Sequence, residues 1–192
     1  MRKELVFLLE ELSAKALLEV LLPRFLDPSI IPRFVPFEGK QDLDKQLERK
    51  LRGYQNPHAR FIVLRDQDSF ADCRRLKDTL LAKCQAAGRD AVTLVRIACH
   101  ELETFYLADL AAVEKALQLR GLSQQQAVAK YRTPDTLGSP SHELSLLTKK
   151  SYQKVGDSRR IGAYLDIENA RSVSFKNLMI GIRRWEKELL SL

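Results

Sequence analysis

Cysteine is scarce in this 192-residue chain: Cys73, Cys84 and Cys99, with no Cys-x-x-Cys pair among them. Three separated thiols give neither a disulfide framework nor a zinc-binding spacing, and they fit a reducing, cytoplasmic setting. Histidine is as sparse: His58, His100 and His142 stand far apart, without the spacing of metal ligands. No apolar run approaches the roughly 20 residues needed to cross a bilayer, so no membrane partner is expected. No small-residue cleavage site follows the opening Met-Arg-Lys-Glu, which argues against a signal peptide. Internal repeats and low-complexity tracts are also missing.

What is present describes a folded protein with a basic surface. Apolar residues make up 45% and charged residues 30% of the chain, the balance of a globular domain. The length suffices for one full core. A net charge of +7 suits a polyanionic partner, nucleic acid first among them. The charge is spread along the chain, so a solvated surface is the competing reading.

The N-terminal half alternates strand and helix patterns. Glu4 to Leu9 reads as a strand, and Ser13 as the cap of a helix reaching about Leu26. Ile30 to Phe37 is strand-like despite Pro32 and Pro36, which places it near a sheet edge. A polar helix follows from about Asp42 to Tyr54, then a buried strand from Ala59 to Leu64. The next helix is expected after Asp68, continuing to about Ala87, with Phe70, Cys73, Leu76, Leu80 and Cys84 on its apolar face. Ala91 to Ala98 forms a fourth strand. This order predicts an α/β core with a parallel sheet of about four strands flanked by helices. From Glu101 onward the pattern is helical: Glu101–Leu119, Ser123–Tyr131, Ser141–Tyr152 and Ser174–Leu190, with breaks that include Gly156-Asp157. The chain therefore divides into a core over residues 1–110 and an all-helical C-terminal extension over 111–192, packed on the core.

Acidic residues stand where apolar strands run out. Leu5-Val6-Phe7-Leu8-Leu9 leads into Glu10-Glu11, and Phe61-Ile62-Val63-Leu64-Arg65 into Asp66-Gln67-Asp68. Carboxylates at the carboxyl ends of parallel strands lie on the edge where α/β proteins carry their chemistry. Oxygen donors converging from two strands suit a hard divalent cation such as Mg²⁺ or Mn²⁺. Asp66 and Asp68, two apart, would point the same way in a continuing strand. The competing reading makes Asp68 the N-cap of the following helix. Glu101 and Glu103 repeat the acidic pattern after the fourth strand, where the helix dipole alone would favour them.

These pieces resemble a Toprim domain, the small α/β module of topoisomerases, primases and nucleases of the overcoming-lysogenization-defect type. A Glu after the first strand and an Asp-x-Asp after a later one mark that module, here Glu10 and Asp66/Asp68. Leu8-Leu9-Glu10-Glu11, Phe37-Glu38-Gly39-Lys40-Gln41-Asp42-Leu43, Arg65-Asp66-Gln67-Asp68 and Glu101-Leu102-Glu103-Thr104-Phe105-Tyr106-Leu107-Ala108-Asp109 together are similar to a bacterial Toprim-like family of unknown function, often found beside ATPases in phage-defence loci.

The resemblance implies a metal-dependent nuclease acting on DNA or RNA, with Glu10, Asp66 and Asp68 holding Mg²⁺ or Mn²⁺. It implies help from Glu101 and Glu103 at a second metal. Lys154 is the candidate to approach the reacting phosphate from the helical tail, and Lys40 and Arg65 are candidates to meet nucleic acid; ordinary solvated side chains are the favoured competing reading for each. An ATPase partner is implied by the family's surroundings, and a homo-oligomer is left open. One departure counts against cleavage: where related nucleases often carry a second acid four positions after the first Glu, this chain has Ala14, and Glu11 stands where Gly is usual. The alternative is a non-catalytic interaction or regulatory subunit docking an ATPase.

Overall fold

β1 (Lys3–Leu9) and β3 (Ala59–Asp66) carry unbroken apolar runs, Leu5–Leu9 and Phe61–Leu64, because both lie inside the sheet with helices on either face. The computed structural model describes residues 2–192 and places four parallel strands in the order β2-β1-β3-β4, with β2 at Ile30–Pro36 and β4 at Thr93–Ala98. The α/β architecture expected from the strand–helix alternation is the one observed. β2 is an outer strand, which accommodates Pro32 and Pro36 and their missing amides. The chain leaves β1 toward β2 and later returns to pair β3 on the other side of β1. The strand order therefore reverses between β1 and β3, the place where open α/β sheets form a crevice.

Alternate side chains divide the core into two halves. Val6, Leu8, Phe61 and Val63 face Leu43, Leu47 and Leu51 of α2 (Lys40–Arg52) and Leu80 and Cys84 of α3 (Cys73–Ala86). Leu5, Phe7, Leu9, Ile62 and Leu64 face the opposite layer. That layer includes α1 (Leu12–Leu21) and the last helix, whose Trp185 donates Nε1–H to the Phe61 carbonyl at 2.9 Å.

Several helix boundaries differ from expectation for identifiable reasons. α1 stops at Leu21 rather than Leu26, because Pro23 lacks the amide that another α-turn requires; a 3₁₀ turn over Leu22–Arg24 replaces it. α3 starts at Cys73, capped by Asp72, whose Oδ1 accepts from the Arg74 amide at 2.8 Å. Asp68 is therefore not its cap, and Phe70, expected on its buried face, lies outside the helix and 47% exposed. The helix expected over Glu101–Leu119 is two pieces, α4 (Thr104–Leu107) and α5 (Leu110–Leu117), restarted where Asp109 accepts from the Ala112 amide. α6 (Leu122–Gln125), α7 (Ala129–Arg132) and α8 (Pro140–Leu147) follow as short segments.

α9 (Lys154–Gly162) runs straight through Gly156-Asp157, where the sequence reading placed a break. Asp157 lies in its first turn and accepts from the Gln153 amide at 2.7 Å, so the residue taken as a breaker is part of the helix start. The far end of α9 seats on α1 at Gly162, where a Cβ would meet Val20 Cγ2 at 2.8 Å and Leu17 Cδ1 at 2.9 Å. α10 (Val173–Ser191) is capped by Ser172, which accepts from the Phe175 amide, and lies on the sheet.

Candidate functional site

Strand pairing continues past the strands and brings the acidic loops into line. The Glu10 amide donates to the Leu64 carbonyl at 3.1 Å, Gly39 N–H to Glu10 O at 3.0 Å, and Gln67 N–H to Ala98 O at 3.0 Å. The loops after β1, β2, β3 and β4 are thus tied to one another at the carboxyl edge of the sheet. Gly39 takes φ +94° in this corner, a conformation that strains any other residue.

Glu10 and Asp66 meet at the point where the strand order reverses. Both are buried, and Glu10 Oε2 accepts from the Asp66 amide at 3.0 Å. Burial pushes the Glu10 carboxyl above its ordinary value; the Asp66 hydrogen bond opposes this and the charge of Asp68 adds to it. Asp66 is raised further, first by burial and then by the negative charges of Glu10, Glu11 and Glu103, with Lys154 pulling the other way. Glu103 is fully buried and also raised by burial, against the opposing pull of Lys154. Its Oε1 accepts from Tyr152 O–H at 3.0 Å, while Oε2 is buried without a partner.

Lys154 opens α9 beside this group and pairs with Glu11 Oε1 at 2.7 Å. Burial works against its charge, but the Glu11 hydrogen bond and the attraction of Glu103, Glu11 and Asp66 outweigh it and raise its pKa. Glu11 occupies the end of β1's loop that sequence reasoning left without a role; here it tethers the lysine.

The remaining expected residues take other partners. β3 ends at Asp66, and Asp68 follows with φ +52°, its amide donating to His100 O at 2.6 Å. Its carboxylate turns to Lys40, 3.0 Å from Nζ, in an open cleft of about 490 Å³ also lined by His100 and Glu101. Asp66 thus closes the strand and Asp68 stands in the loop beyond it, where the alternation of a regular strand no longer sets its direction. Glu101 Oε2 accepts from the Ser141 amide at 2.6 Å and Glu101 lines the cleft, whereas Glu103 is fully buried. Arg65, expected to meet nucleic acid, is buried instead; its Nη1 reaches Asp44 Oδ1 at 2.7 Å and its Nε lies 3.8 Å from Glu10. Nothing in the sequence marked Asp44 or Tyr152 as partners, since each contact joins distant segments.

Among the described residues no three His, Cys, Asp or Glu side chains form a group arranged to hold a metal ion. The donor chemistry nevertheless fits Mg²⁺ or Mn²⁺. The donors are hard oxygens, three neighbouring carboxyls are raised chiefly by burial, and Glu103 Oε2 is unpartnered.

Comparison with known proteins agrees with the fold. Residues 9–183 match the family described as Domain of unknown function (DUF4276). A search of curated proteins gives no significant match. Among solved structures, the chain is similar to the C-terminal region of the Burkholderia pseudomallei OLD protein. The two share 15% sequence identity with a TM-score of 0.53, covering 97% of this chain and 99% of that one.

Proposed function

This chain belongs to the DUF4276 family, and from that premise we propose that it is a metal-dependent phosphodiesterase, a Toprim-type nuclease cleaving DNA or RNA. The observation that carries this reading is the joining of Glu10 to Asp66 at the crevice between β1 and β3, with Glu103 and Lys154 beside them. The fold shared with an OLD-protein C-terminal region supports it.

Glu10, Asp66 and Asp68 would hold the Mg²⁺ or Mn²⁺ ion, with Glu101 and Glu103 offering oxygens for a second. Such an ion, when bound, neutralises phosphate charge and makes water a better nucleophile. Lys154 supplies a fixed positive charge for the reacting phosphate, held in place by Glu11 until a substrate oxygen competes for it. Lys40, at the entrance of α2, meets a neighbouring phosphate once it lets go of Asp68. Work beside an ATPase in cytoplasmic anti-phage defence follows from the resemblance of the motifs to that family.

A second reading, a non-catalytic regulatory subunit docking an ATPase, is favoured by one observation. Ala14, at the position of the second acid in related nucleases, is 4% exposed and packed in the core, and among the described residues no three carboxylates are arranged as ligands. Incubation of plasmid DNA and of RNA with Mg²⁺ or Mn²⁺ separates the two. Cleavage by the wild type, abolished in Glu10→Gln and Asp66→Asn, is the expected result. Cleavage that persists in both variants, or is absent under every condition, removes the nuclease reading.

A further inference from the structure

The open side of β4 carries a basic groove that the candidate site does not use. β4 is the outer strand opposite β2, and a groove of about 490 Å³ runs along it between α3 and α10. Arg74 and Lys77 stand on the α3 wall, Arg96 on the β4 floor, and Ser174 and Asn177 on the α10 wall. No aspartate or glutamate lines it. Asp135 turns its Oδ2 to the Ser174 amide at 2.8 Å.

Arg96 is the residue that gives the groove its meaning. Its Nε donates to the Asn177 carbonyl at 2.8 Å and its Nη1 to the Val95 carbonyl at 2.9 Å. Among the described residues it forms no ion pair with a carboxylate, although it is partly buried. Removing a guanidinium from water without a counter-charge is unfavourable. Burial, and then the like charge of Arg184, push its pKa below the usual arginine value. The fold holds it fixed all the same. It lies against Gly181 of α10, where a Cβ would come within 2.9 Å of both Nε and Nη2. A fixed cation without an anion, in a groove whose α3 wall carries two more cations, is a site open to negative charge.

We propose that this groove binds the phosphodiester backbone of a nucleic-acid strand, with Arg96 as the fixed anchor and Arg74 and Lys77 as exposed outer contacts. Arginine and lysine along a groove are the side chains that hold phosphates without reading sequence, and Asp135 is turned to the Ser174 amide rather than ion-paired with any of them. Continuity favours nucleic acid over an acidic peptide. The groove begins at Cys99, and the next residue, His100, lines the cleft that holds Asp68 and Lys40. A strand seated in the cleft continues along β4. This inference rests on the nucleic-acid reading above and adds a second contact surface to it.

The test is fluorescence anisotropy of a labelled oligonucleotide in EDTA, titrated against salt for several variants. The plot of log K against log salt should lose about one unit of slope for each phosphate contact removed. Arg74→Gln/Lys77→Gln, on the exposed face of α3, should lower the slope by about two units and weaken binding several-fold. Gly181→Ala, which keeps every charge but displaces Arg96, should weaken binding as well, whereas Arg49→Gln on α2 should not. An Arg74→Gln/Lys77→Gln protein that binds with the wild-type slope overturns the groove and leaves the nuclease reading standing. Groove-dependent binding without cleavage in Mg²⁺ or Mn²⁺ confirms the groove and removes the nuclease reading. A wild type that binds no oligonucleotide, or surrenders it to polyglutamate of equal charge, overturns the groove.

Discussion

The Asp66 amide donates to Glu10 Oε2 at 3.0 Å, so the carboxylate that follows β1 is fixed to the backbone that ends β3. Two segments 56 residues apart in sequence are thereby joined at the crevice. The bond also orients Glu10 while burial and Asp68 work against its charge.

The first prediction concerns pH. Asp66, Glu10 and Glu103 all have folded-state pKa values above the ordinary carboxylate range. The folded protein therefore holds protons that the unfolded chain has released. The stability these groups contribute is full below the unfolded carboxylate pKa and is lost as pH rises through the folded values. Asp66→Asn should raise the melting temperature at pH 8 by several degrees, at about 2–4 °C per kcal/mol for a domain of this size. The gain should shrink toward pH 5. Thermal melts of both proteins across that range check it. Mn²⁺ should stabilise the wild type and not Asp66→Asn.

Lys154 provides the second. Its ammonium pairs with Glu11 and offsets the charges of Glu103 and Asp66. Lys154→Met should lower cleavage by about 10²–10³-fold, the scale of losing one preorganised charge-stabilising group. It should also destabilise the fold at pH 8 more than at pH 5, because protonation of the crowded carboxyls replaces the missing cation. Cleavage assays and pH-dependent melts on the same variant separate the two effects.

Lys40 and Asp68 give opposite signs for two ligands. Their ion pair is solvent-exposed, so its loss should change stability by no more than about 1 kcal/mol. Lys40→Ala should free Asp68 for a cation and tighten the Mn²⁺ midpoint in a thermal-shift titration. The same variant should weaken oligonucleotide binding, read by anisotropy.

Gly162 controls the seat of α9. A Cβ would stand 2.8 Å from Val20 Cγ2 and 3.0 Å from the Leu17 carbonyl, so the helix must lift off α1. Gly162→Ala should destabilise by about 1–3 kcal/mol, the usual range for overpacking. It should also reduce cleavage, because Lys154 stands at the other end of that helix. Calorimetry and single-turnover cleavage measure the two consequences.

Much of this arrangement is legible in the sequence because burial leaves long apolar runs. β1 and β3 announce themselves as Leu5–Leu9 and Phe61–Leu64, and the acidic residues at their ends mark the crevice. The prolines of β2 mark an outer strand. What sequence patterns miss is contact between distant residues. Arg65 reads as a free cation until Asp44, on the neighbouring helix, is seen to occupy it. The pairing of Asp68 with Lys40, beyond the end of β3 at Asp66, has no local mark either. α9 is hidden because Gly156-Asp157 has the composition of a turn, while Asp157 acts as a helix-start acceptor. Glu11 and Tyr152 carry no local signal, since their partners Lys154 and Glu103 lie far along the chain.

Trp185 is the sole tryptophan, nearly inaccessible to solvent, and its indole N–H is bound to the backbone of β3. The molecule thus carries an intrinsic fluorophore at the seam between its last helix and its central strand. Its emission would shift to the red as soon as that seam opened, giving a label-free optical readout of unfolding in any variant.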